Sequence, residues 1–176
     1  QIDFVTIPDG FSAEAVQIKI EAVAKALGVE EKGKELADKT LSSIKAAALD
    51  ATREDRKRVI FILSTRGGRI LASGTNTAAD GIIVLAGATN VISDFEGYKP
   101  LTDEAVLAAA PDVILIMDRG GNHSVADEEL LAMPSIAGTP AAETRSILRM
   151  NGLLLLGFGP RTGEAITALN KALYGA

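Results

Sequence analysis

EEKGKELADKTLSSIKAAALDATR, residues 30–53, is the stretch on which the fold turns. Ala37, Leu41, Ile44 and Ala48 recur at the 4-3-4 spacing of one helical face. The remaining faces are mostly Lys, Glu, Asp and Ser. At 1.5 Å of rise per residue such a helix reaches roughly 35 Å, the width of a small domain. Gly33 weakens its first turn by up to ~1 kcal/mol against alanine, which moves the expected start toward Lys34. A helix this long with so thin an apolar stripe is too wet for a core. It is either an ordinary surface helix or a strut between two lobes, and the flanking chain favours the strut.

Upstream, Ile2–Ile7 has the composition of a strand and stops at the turn signal Pro8-Asp9-Gly10. Ser12 then caps a helix with Ala13, Val16, Ile20, Val23 and Leu27 on one face, Phe11 placed to staple onto Val16, and Gly28 at C′. One strand and one helix read as the tail end of a lobe, with the rest of it and any targeting peptide expected further upstream.

Downstream the texture changes. Val59–Leu63 is an unbroken apolar run, as in a parallel strand covered on both faces. A short strand over Arg69–Ala72 follows, then a helix from Asn76 or Thr77 with Ala79, Ile82, Ile83 and Ala86 at the 3.6 period, closed by Gly87. Val91-Ile92 is a short strand at best. Thr102 caps a helix carrying Asp103 and Glu104 in its first turn, which Pro111 ends. Val113–Met117 is a second buried strand, followed by a helix near Asp127–Ala132 and a strand near Ser146–Arg149. Leu153–Leu156 reads as a third buried strand before a last helix over Thr162–Leu173. Strands alternating with helices predict an α/β layer with a mostly parallel, Rossmann-like sheet. The expected division is residues 1–29 as the end of one lobe, 30–56 as the connecting helix and 57–176 as the second lobe.

Composition narrows the functions. The 176 residues are 47% hydrophobic with net charge −5, both signs scattered, so no nucleic-acid footprint is expected. No apolar run approaches the ~20 residues of a membrane span. Cysteine is absent, which excludes disulfides, thiolate metal sites and cysteine-ligated clusters.

In an open α/β sheet, ligands bind beyond the carboxyl ends of the strands. The expected ends, Ser64–Gly68, Asp118–Gly121 and Gly157–Arg161, each couple glycine to one arginine: Arg66, Arg119 and Arg161. Guanidinium groups on one rim suit a ligand with carboxylates or phosphates, whereas a solvated loop arginine is the plain alternative. His123 is the only histidine, in a loop from which it can ligate a metal or haem iron or serve as an ordinary polar residue. Tyr98 can stack on a planar ligand, ligate ferric iron as phenolate, or be a half-buried loop aromatic. GFGPRTG at Gly157–Gly163 invites a dinucleotide reading, but the fingerprint needs a following strand and acidic residue about 20 positions on, and this sequence has 13 residues after Gly163. A small α/β nucleotide-binding enzyme domain is therefore the outlying alternative. Nothing catalytic stands out.

Gly97-Tyr98-Lys99-Pro100-Leu101-Thr102-Asp103-Glu104, with Ala110-Pro111-Asp112-Val113-Ile114-Leu115 behind it, resembles the periplasmic substrate-binding proteins of haem, siderophore and cobalamin ABC importers. Ala72–Asp80 (ASGTNTAAD) and Leu155–Arg161 (LLGFGPR) narrow the likeness to the haemin-binding branch, over essentially all 176 residues. The resemblance implies two α/β lobes joined by one long helix, with haem carried as transported ligand in the cleft and delivered to an inner-membrane permease without catalysis. It implies a periplasmic location. Tyr98 matches an aromatic that faces ligand in cobalamin relatives, and Arg161 and Phe158 lie in the GFGPR loop expected to face the cleft. Glu104 matches a glutamate that pairs with permease arginines. Ferric siderophore or cobalamin remain alternative ligands. With one wall of the cleft, these 176 residues alone are expected to bind haem weakly or not at all.

Overall fold

The computed structural model describes residues 4–118 and 125–175. Six strands form one mixed sheet: β1 (Arg58–Ser64), β2 (Leu71–Ser73), β3 (Thr89–Asn90), β4 (Tyr98–Pro100), β5 (Val113–Asp118) and β6 (Ile147–Asn151). Their order is β4-β2-β1-β5-β6, with β3 beside the start of β1. β5 and β6 run parallel to β1, aligning Val59 with Val113 and Ile114 with Ile147. β2 returns antiparallel to β1, and β4 pairs antiparallel with β2.

The side-chain period of two sorts the core into two layers. Val59, Phe61, Val113 and Leu115 point to one face. There they meet α1 (Ala13–Ala26), α2 (Glu30–Asp50), α3 (Ala78–Leu85), α8 (Gly152–Leu156) and α9 (Thr162–Tyr174). Ile60, Ile62, Ile114 and Ile116 point to the other. Val106, Leu130, Ile136 and Ala141 cover them, from α4 (Asp103–Ala109), α5 (Asp127–Leu131), α6 (Pro134–Ala137) and α7 (Pro140–Glu143). The α/β class expected from the sequence is the class observed.

α2 starts at Glu30, not near Lys34, and keeps Gly33 inside its first turn. The reason is tertiary: Gly33 is buried where α1 crosses, and a Cβ there would collide with the Cβ of Ala24. Toward its other end α2 lies on α9, where Gly163 meets Ser43 equally closely. Ala37 and Ile44 of the expected stripe are buried, joined by Thr40 and Ala47, while Leu41 and Ala48 are half-buried. Beyond Asp50 the chain is tied into the sheet layer. Gly87 adopts φ +79 with its Cα against the Ala51 carbonyl, a place with no room for a side chain. The Arg53 guanidinium sits 4.0 Å over the Tyr174 ring. The Tyr174 hydroxyl accepts from the Lys57 amide at 3.0 Å and donates to the Gly87 carbonyl at 2.9 Å.

Several expectations are corrected. Residues 4–7 are not a strand: among the described residues no ladder partner lies beside them, and Ile2 and Asp3 fall outside the described set. Phe11, in the same cluster as Val16, also packs edge-on against Phe158, centroids 5.3 Å apart. Leu153–Leu156 is α8, not a strand, because the Asn151 side chain accepts from the Leu154 amide at 3.1 Å and caps a helix. Tyr98, expected in a loop, opens β4. The strand expected at Val91-Ile92 lies earlier, at Thr89–Asn90, and the short helices α6 and α7 were not anticipated.

Candidate functional site

The carboxyl ends of β1, β5 and β6 define one rim of the sheet, since Ile62 pairs with Ile116 and Asp118 with Asn151. Arg66 lies just past the end of β1 in a single 3-10 turn, exposed and without an ion pair among the described residues. Arg119 and His123 belong to the segment after β5 that lies outside the described residues.

Tyr98 stands elsewhere. It pairs with Ser73 at the outer edge of the sheet, while Pro100, two residues on, pairs with Leu71. Leu71 is opposite Ser64, so Tyr98 sits below the rim, level with the middle of β1. Its ring is 36% exposed and edge-on to Phe61 at 6.4 Å. A polar clamp holds this edge. The Gly74 amide donates to the Gly97 carbonyl at 2.8 Å, and Gly97 returns a bond to Thr75 at 3.0 Å. Behind it, buried Asn90 donates to the carbonyls of Ser73 and Gly74 and to Asp80, and Ser73 bonds Thr77 at 2.5 Å. Every member of this network has a partner, which is what makes a buried polar cluster tolerable. The ASGTNTAAD motif thus builds the turn that seats Tyr98; its Ser, Thr and Asp spacing is the signal that would have revealed it.

The GFGPRTG loop follows α8. Phe158 has φ +38, an outlier for a bulky residue, and is 2% exposed. Its ring fills the core beside Phe11, so its place is under the loop rather than on a rim. The Gly159 amide and carbonyl both bond the Thr162 hydroxyl at 2.9 Å. Gly163 is occupied with helix packing against α2, not with an open phosphate cradle. Pro160 and Arg161 are exposed at the start of α9, and Arg161 makes no ion pair among the described residues. A hollow of about 180 Å³, open to solvent, is lined by Leu153, Leu154, Gly157–Pro160 and Arg161; neither Tyr98 nor Arg66 lines it.

Glu104 lies exposed in the first turn of α4. Its own backbone N–H, and after it the Thr102 hydroxyl, hold its carboxyl below the usual range. It is therefore an anion at neutral pH, free of any ion pair among the described residues. No cluster of three His, Cys, Asp or Glu suited to a metal occurs among the described residues, and no helix there is long and apolar enough to cross a membrane.

A family model described as periplasmic binding protein matches residues 1–152. Among solved structures, the chain superposes on the periplasmic heme-binding protein BhuT, in complex with two hemes, with TM-score 0.86 and 39% identity over 94% of this chain and 63% of that one. The periplasmic heme-binding protein RhuT from Roseiflexus sp. RS-1 gives 0.87 and 39% over 95% and 65%. A 26% identical curated relative is the uncharacterized ABC transporter substrate-binding lipoprotein YvrC of Bacillus subtilis (strain 168), matched over 98% of this chain and 54% of that protein. The chain thus spans between about half and two thirds of the length of these relatives.

Proposed function

We propose, from the premise that this chain belongs to the periplasmic binding protein family, that it is part of the substrate-binding component of an ABC importer that captures haem. The observation that carries the reading is the 39% identity to two heme-binding proteins across nearly the whole chain. In this reading residues 57–176 form one wall of the cleft, α2 is the rigid link, and α1, packed on α2 and into the same core, lies next to the lobe that supplies the other wall. The protein works outside the cytoplasm and hands its ligand to a membrane permease without chemical change to it. Glu104, an exposed and unpaired anion on a short capped helix, is the docking contact for permease arginines.

Arg161, in the hollow beside α8, serves a carboxylate of the ligand; Arg66 and Tyr98 lie outside that hollow and are the more distant candidate contacts. A link as regular as α2 limits closure, so recognition relies on a largely preformed surface. The test is a haemin titration of the full-length protein followed by Soret absorbance, in competition with ferric siderophores and cobalamin. A shifted Soret band that these competitors do not reverse is expected. A spectrum that stays that of free haemin overturns the haem reading, and displacement by a siderophore transfers the site to that ligand class.

A further inference from the structure

Leu153 is 81% exposed, although it begins an apolar run of four leucines. Helical geometry explains its direction. Leu155 is wholly buried, and two residues on a helix turn by about 200°, so burying Leu155 sends Leu153 outward. Geometry does not explain why the outward residue is apolar. Single exposed leucines are ordinary on protein surfaces, and Leu49 of α2 is another at 74%.

What separates Leu153 is its setting. It stands in the first turn of α8, which leaves the rim where Asn151 of β6 pairs with Asp118 of β5. It lines the same hollow as Leu154, the Gly157–Pro160 turn and Arg161. Gly157 packs against the Leu153 carbonyl with no room for a Cβ, and the Phe158 side chain is almost wholly buried, so neither adds a bulky group to the hollow. Apolar Leu153, a turn poor in exposed side chains and a guanidinium with no ion pair among the described residues therefore border one hollow. A ligand matching them is a flat apolar disc with a carboxylate on its edge.

We infer that Leu153 is a specificity-determining contact for the face of a tetrapyrrole ring, with Arg161 taking a carboxylate of the same molecule. This rests on the haem reading above and adds to it a residue that acts on the ring and not on iron. Its effect is therefore the same for haemin and for metal-free protoporphyrin IX.

The experiment uses the full-length protein with three substitutions, Leu153→Asp, Leu153→Met and the distant control Leu49→Asp. Haemin binding is read by Soret absorbance and protoporphyrin IX binding by porphyrin fluorescence. Leu153→Asp is expected to weaken both ligands by roughly tenfold or more, because it replaces apolar contact with a carboxylate that repels the ligand's own. Leu153→Met is expected to stay within about threefold of wild type, and Leu49→Asp to match it. Since Leu153 is exposed, circular dichroism and thermal midpoints of all three should be those of wild type. Wild-type binding with Leu153→Asp unaffected overturns the assignment of Leu153 and leaves the haem reading standing. Weakening toward haemin alone overturns the ring-face role. Wild type that takes up neither porphyrin overturns both.

Discussion

α3 buries Ala79, Ile82, Ile83 and Ala86 to within 1% of complete, whereas α1 leaves Val23 40% and Leu27 71% exposed on a stripe of the same period. Both helices are capped alike, by Thr77 accepting from Asp80 and Ser12 accepting from Ala15. The difference is in what lies opposite. α3 sits directly on β1 between α8 and α9, while α1 touches α2 with one flank and turns Val23 and Leu27, together with Val29 and Leu36, to an apolar groove. Amphipathic period specifies which face seeks cover; it does not specify that cover is present. On the two-lobe reading, that groove faces the neighbouring lobe.

The comparison can be broken first at its strongest point. Ile83→Ala is expected to lower stability by about 2–5 kcal/mol, and Leu27→Ala by no more than ~0.5, in denaturant unfolding. Equal losses would mean that the α1 stripe is covered after all. Next, Gly33→Val forces a side chain into the Ala24 contact and is expected to cost about 1–3 kcal/mol. That loss would show that α1 and α2 are held as one unit even though α1's outer stripe is bare. The caps fall between Gly33→Val and Leu27→Ala. Ser12→Ala should cost about 1 kcal/mol, and Thr102→Ala a similar amount through loss of the bond to the Ala105 amide at 3.2 Å.

Thr102→Ala also carries a pH signature. Glu104 has a depressed carboxyl pKa in the folded state. Its contribution to stability is therefore present above the unfolded glutamate pKa and is lost as pH falls through the folded value. Removing the Thr102 hydroxyl should move the Glu104 titration, followed by NMR, up toward the ordinary glutamate range. A titration that does not move would assign the shift to the Glu104 amide alone.

Much of the fold was legible residue by residue. Val59–Leu63 and Val113–Met117 are strands because unbroken apolar runs rich in Val and Ile suit a sheet covered on both faces. α1 and α3 fall within a residue or two of expectation because cap and period agreed, α4 because of its Thr102 cap, and α9 through its apolar period alone, since no side chain caps it. The misreadings share a cause. Leu153–Leu156 is apolar but not β-branched, and its state depended on one capping asparagine just upstream. Tyr98 became a strand residue because β2 offered it an edge, which is a fact about residues 71–73. At the site, Arg66 and Arg161 were recognisable as single arginines in glycine-bearing segments near strand and helix ends. That Phe158 lies inside, that Tyr98 sits below the rim and that Leu153 borders the Arg161 hollow depend on contacts between distant segments.

By itself, then, the order of residues determined the α/β class, the two central strands, the capped helices and the family motifs, since each is written in local spacing and short-range chemistry. Only tertiary structure decided which apolar faces are covered, which glycines exist for close packing and which side chains share a surface. Those outcomes depend on where remote pieces of chain meet, and no local period encodes that.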